Sequence, residues 1–72
     1  MFNKLRLRGK LAEAGMSQED LAKAIGISYV SMSNKMNGNV DFTLKEVTAI
    51  AKALRLTDAD IIAIFVRGEE ER

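Results

Sequence analysis

The chain reads as all-α, five helices around one core, and three observations carry that expectation. Apolar residues recur at three- and four-residue spacing, as in Leu21 and Ile25 or Met32 and Met36, the period of a helix with one buried face. Four such stretches open on a hydroxyl residue able to cap them, Ser17, Ser28, Thr43 and Thr57, and glycines stand at two expected helix ends, Gly15 and Gly26. The 72 residues, 47% of them apolar and none of them proline, suffice for one compact helical core and leave no room for a second domain.

The first helix is expected from about Asn3 to Ala14, offering Leu5, Leu7, Leu11 and Ala14 for burial and ending at Gly15. Gly9 sits in its middle, where glycine costs up to about 1 kcal/mol relative to alanine. It either permits close packing or marks a softer end of the helix. The alternation Leu5-Arg-Leu-Arg8 has the period of a strand but is too short to override its helical surroundings.

Ser17 opens the second helix, with Asp20 three residues on in a near relative of the capping box, and Leu21 and Ile25 share its inner face. Ala22 is small enough to let a neighbouring helix approach at a steep angle, Gly26 makes the corner, and Ile27 plugs it. Ser28 caps the third helix, whose Met32 and Met36 face the same core. Asn37-Gly38-Asn39 is a turn of residues that tolerate left-handed backbone.

Thr43-Leu-Lys-Glu46 is a capping box for the fourth helix, in which Leu44, Val47, Ile50, Ala51 and Leu54 are expected inward. Phe42 and Val47 have the spacing of a hydrophobic staple across its start. Thr57-Asp-Ala-Asp60 begins a fifth helix with its acids at the positive end of the dipole. Ile61, Ile62, Ile64, Phe65 and Val66 follow, a run wider than one apolar stripe. Either all five fill the core, or Ile62, Phe65 and Val66 form part of a two-fold dimer interface. Residues 1–67 are thus read as the domain, and 68–72, Gly-Glu-Glu-Glu-Arg, as a short frayed acidic tail pointing away from any polyanion.

The chemistry available is narrow. With no cysteine and no histidine there is no thiolate or imidazole to serve as nucleophile, base or ligand, so neither an enzyme nor a metal or cofactor site is expected. No apolar run reaches the about 20 residues that span a bilayer, and the opening Met-Phe-Asn-Lys lacks a signal-peptide core, so a cytoplasmic protein without membrane contact is expected. The net charge is only +1, yet three of the ten acids are Glu69, Glu70 and Glu71. Without residues 69–72, ten Lys and Arg face seven Asp and Glu, a net of +3. Lys4, Arg6, Arg8 and Lys10 concentrate part of it on the first helix, as phosphate contact requires.

The glycine corner and its two capped helices are what a helix-turn-helix needs. Gln18, Leu21, Ala22, Ile25, Gly26, Ile27, Ser28, Met32, Asn37 and Gly38 give the chain its resemblance to the phage-repressor and Cro-type helix-turn-helix domains of the XRE family, over roughly residues 2 to 66. The resemblance implies a lambda-repressor-like fold with the second and third helices as the motif. It departs at one place, because the apolar residue the family carries three positions after Met32 is here Lys35, with Met36 as the anchor. A slightly rotated third helix follows.

With both methionines inward, a step of about 100° per residue sets Val30, Ser33, Asn34 and Asn37 on the opposite face, Tyr29 at its N-terminal edge, and Ser31 and Lys35 on the flanks. For a helix in the major groove, Tyr29, Val30, Ser33 and Asn34 are the base-contacting candidates: Asn34 suits a bidentate pair with adenine and Val30 a thymine methyl. Phosphate contacts are assigned to Gln18 at a helix N-terminus, where the resembling family holds the backbone, and to Ser31, Lys35, Asn37, Asn39 and Lys45. One helix reads few base pairs, so a homodimer on a palindromic double-stranded DNA operator is expected, with half-sites about one helical turn apart. Resemblance favours a transcriptional repressor without a small-molecule substrate. The alternative is a protein-interaction module of the same fold, such as an antitoxin or antirepressor partner.

Overall fold

The structure, a computed structural model, describes residues 2–67, and among them the regular elements are all helical. In chain order they are α1 (Lys4–Ala14), α2 (Gln18–Ile25), α3 (Tyr29–Met36), α4 (Leu44–Leu54) and α5 (Asp58–Ile61), the last running on as a π-helical segment, Ile62–Arg67. The expected acidic tail, residues 68–72, lies outside the described residues.

Local chemistry sets the helix starts. Ser17 Oγ accepts the Asp20 N–H at 3.0 Å while the Asp20 carboxylate accepts the Ser17 N–H at 2.9 Å, so each residue satisfies the other's backbone. Thr43 with Glu46 and Thr57 with Asp60 repeat the arrangement. Asn3 caps α1 through the Arg6 N–H, and Ser28 caps α3 through the Ser31 N–H. Between α2 and α3, Gly26 takes φ +80°, a left-handed conformation that a side chain resists, and the Ala22 carbonyl accepts the N–H groups of both Gly26 and Ile27.

Leu7, Leu11, Leu21, Ala22, Met32, Met36, Ile50, Leu54 and Ile64 form the buried core. Ala22 at 2% exposure is the close-approach residue of the corner, and α2 packs on both α3 and α4 while α1 packs on α4 and the π-helical segment. Ile27 is half-buried, a partial plug at the margin of the core. The start of α1 meets the π-helical segment: the Asn3 N–H donates to the Ile64 carbonyl at 2.7 Å.

Several expected core residues lie outside. Leu5 is 77% exposed, because Leu7 and Leu11 share one side of α1 and Leu5 stands about 200° around the axis from Leu7. Ala14 lies on the side of Leu7 but in the final turn, where it remains exposed. Leu44 is 82% exposed; it occupies the first turn of α4, at the margin of the arc that Ile50 and Leu54 bury. A Cβ on Gly9 would meet nothing within 4 Å, so that glycine serves no close approach.

The terminal apolar run divides. Ile64 is buried and Ile61 half-buried, while Ile62 and Val66 face outward. Phe65 is half-buried, and its ring joins an aromatic cluster with Phe2 and Phe42, at centroid separations of 6.3 and 5.9 Å. Phe2 and Phe42 meet edge to face at 5.1 Å, a favoured aromatic geometry. The staple pair Phe42 and Val47 is half-buried on the same side, next to Phe2 and Phe65.

Candidate nucleic-acid interface

The outward side of α3 is defined by what its inward side must bury. Met32 and Met36 are 0% and 1% exposed, which leaves Val30 and Asn34 exposed on the other side, Tyr29 exposed in the first turn about 20° around the axis from Met36, Asn37 exposed beyond the helix end, and Ser31 and Ser33 half-buried along its edges. Four of the expected base-contacting residues therefore share one helix, three of them open to solvent and Ser33 partly shielded. The face bears no charged side chain, so no carboxylate there opposes approach to a polyanion.

Lys35 is the exception among the expected phosphate contacts. It lies inward rather than on a flank, 7% exposed, with its Nζ 2.8 Å from Glu46 Oε1 and 3.4 Å from the Asp41 carbonyl. The reason is angular: positions 35 and 36 fall about 60° and 40° to either side of Met32, and a core stripe of at least about 100° takes in both. The helix is therefore rotated enough to bury a lysine stem, and the ammonium reaches α4. Burial of the Glu46 carboxylate opposes its ionisation, but hydrogen bonds from Lys35 and from the Thr43 N–H, with the attraction of the Lys35 charge, outweigh it and hold its pKa below the usual carboxylate range.

The other candidates lie around this face. Gln18 begins α2 and is half-buried, with Glu19 and Asp20 in the same first turn, so its amide is a neutral donor in an acidic setting. Asn39 and Lys45 are exposed, the first in the connection after α3 and the second in the first turn of α4. Lys45 adds a cation to the positive end of that helix. A contact the sequence did not disclose joins α1 to the site: Lys4 Nζ donates to Asn37 Oδ1 at 3.3 Å. Nothing in the spacing of two residues 33 apart announces it; only the basic character of the first helix hints at a cation there. Lys10, in contrast, turns away to Asp60 and Glu13, at 3.4 and 3.5 Å.

Two short helices at a tight glycine corner, the second anchored by methionines and open on its far side, are the geometry of a helix-turn-helix. The Cro/C1-type HTH DNA-binding domain family matches residues 6–65, from the first turn of α1 to the π-helical segment. The chain belongs to this family. A Cro/C1-type domain binds DNA, and the matched span includes both motif helices and α4. No curated protein and no solved structure matches the chain. Among the described residues of this Cro/C1-type domain, no helix is long and apolar enough to cross a membrane.

Proposed function

We propose that this domain regulates transcription by seating α3 in the major groove of a specific operator, as a homodimer and as a repressor. The observation that carries the reading is the uncharged, solvent-open face of α3, held rigid by the burial of Met32 and Met36. Asn34 is the principal reader, its amide able to donate and accept with adenine; Val30 meets a thymine methyl, and Tyr29 and the partly shielded Ser33 contact neighbouring bases. Gln18, Ser31, Asn37, Asn39 and Lys45 hold the phosphates that set register, and Lys4 joins them through its place beside Asn37. Lys35 is left out of that set because its ammonium is engaged with Glu46.

Ile62 and Val66, 44% and 70% exposed, supply the apolar patch through which two copies would pair. The domain is 31 Å in its longest dimension, comparable with the about 34 Å between half-sites one helical turn apart, so neighbours on one side of the duplex come within reach of each other. Repression needs no surface beyond this, since occupying an operator excludes other proteins from it. Selection of bound sequences from random duplexes tests the reading. An inverted repeat of two short half-sites about 10 base pairs apart is expected, and a pool that shows no enrichment in moderate salt would overturn it. The exposure of Ile62, Val66 and Leu44 also favours a second reading, a protein-interaction module, which requires that Asn34→Ala leave activity intact while Ile62→Asp abolishes it.

A further inference from the structure

Lys35 is the buried charged residue of the described core, and its surroundings join three parts of the molecule that the sequence keeps separate. Its stem leaves the last turn of α3, its ammonium donates to the Asp41 carbonyl in the connection, and it pairs with Glu46 in the first turn of α4. The same Glu46 oxygen that accepts from Lys35 also accepts the Thr43 N–H at 2.9 Å. One carboxylate oxygen thus closes the capping box of α4 and ties down the end of α3. The backbone hydrogen bonds of the connection are local to α3, from the Gly38 N–H to the Lys35 carbonyl and from the Asn39 N–H to the Asn34 carbonyl, while Lys4 holds Asn37 at its start and the ring cluster holds Phe42 near its end.

An apolar side chain at position 35 would bury as much surface, but it would not dictate a direction. A hydrogen-bonded ion pair with little exposure adds uncertain stability, yet it admits few arrangements and so can specify one of them. We infer that Lys35 and Glu46 are positioning residues: their ion pair sets where Asn37, Asn39 and Lys45 stand relative to the outward face of α3, and so the register between base and phosphate contacts. This rests on the DNA-reading role proposed for α3. Neither side chain touches DNA in this arrangement, and Glu46 acts through the segment it anchors.

The test uses the whole domain with Glu46→Gln, which keeps an acceptor for the Thr43 N–H and for Lys35 but removes the ion pair. Two quantities are read: hydrogen exchange of the Gly38 and Asn39 amides against those of Leu21 and Ile27, and affinity for the best selected duplex against an unrelated one. Exchange at Gly38 and Asn39 is expected to accelerate by about tenfold or more with Leu21 and Ile27 unchanged, and the ratio of the two affinities to narrow by about tenfold. Removing a negative charge would by electrostatics alone tighten binding to both duplexes, so a loss confined to the selected duplex identifies lost positioning. Lys35→Arg, which keeps the pair, is expected to retain most of the ratio. A folded Glu46→Gln domain with wild-type exchange and wild-type or greater selectivity overturns the inference; should that variant not fold, the combined Lys35→Met and Glu46→Gln change is read in the same way. Accelerated exchange in the variant of a protein whose wild type prefers no duplex would sink the DNA reading while upholding the pair as the holder of the connection.

Discussion

Gly9→Ala should stabilise the domain, and the structure permits the size of the effect to be worked out. Gly9 is the sixth of the eleven residues of α1, away from both caps, and a Cβ built on it meets no atom within 4 Å. The substitution therefore adds no clash and changes chiefly the backbone freedom surrendered on folding, for a gain of about 0.5–1 kcal/mol. Unfolding entropy of about 2.1 cal/mol/K per residue gives about 0.15 kcal/mol/K for a chain of 72 residues. The melting temperature should then rise by about 3–7 °C. Thermal unfolding followed by circular dichroism measures it, with Gly26→Ala as the counterpart. Gly26 also has open space around a Cβ but sits at φ +80°, so alanine there must lower the melting temperature, by the cost of a left-handed residue, about 1–2 kcal/mol. A Gly9→Ala protein that melts at or below the wild-type temperature would refute the claim that the position is helical and unencumbered.

Asn34→Ala should leave the melting temperature unchanged, because Asn34 is exposed, and should weaken the selected duplex by about 1–3 kcal/mol per half-site with little change on unrelated DNA; equal losses on both in a competition assay would assign Asn34 to the backbone instead. Val66→Asp places a charge on a side chain 70% exposed, so the fold should survive while sedimentation shifts from dimer to monomer and operator binding weakens; a wild type that sediments only as monomer with operator bound removes the dimer. Acid should destabilise the domain. Asp20 and Asp60 are held below their ordinary pKa first by the backbone N–H of Ser17 and Thr57, and Glu46 is lowered by Lys35 and the Thr43 N–H against the opposing effect of burial. The unfolded chain then binds more protons than the folded one, so the stability these groups contribute is complete above about pH 5 and is lost as pH falls through their folded values. Melting temperatures measured from pH 7 down to pH 3 should show this fall, reduced in Glu46→Gln, and a flat profile would deny the capping carboxylates their role.

What the amino-acid order determined alone is everything whose partners lie within four residues. The caps at Ser17, Ser28, Thr43 and Thr57 and the corner at Gly26 follow from contacts closed inside one helical turn, and the four-residue spacing of Met32 and Met36 sets the two on one side of α3, with Val30 and Asn34 on the other. Tertiary packing decided the rest. Periodicity gives the angle of each residue around its helix axis but not how wide an arc a neighbour covers, nor how far along the axis the cover extends. Hence Leu5 and Leu44 remain outside, Lys35 goes inside, and Phe65 packs its ring with Phe2 and Phe42. The pairing of Lys35 with Glu46 spans eleven positions and that of Lys4 with Asn37 spans 33. Such distances close only when separate helices are docked, because the energy that chooses them comes from surfaces that different elements bury against one another.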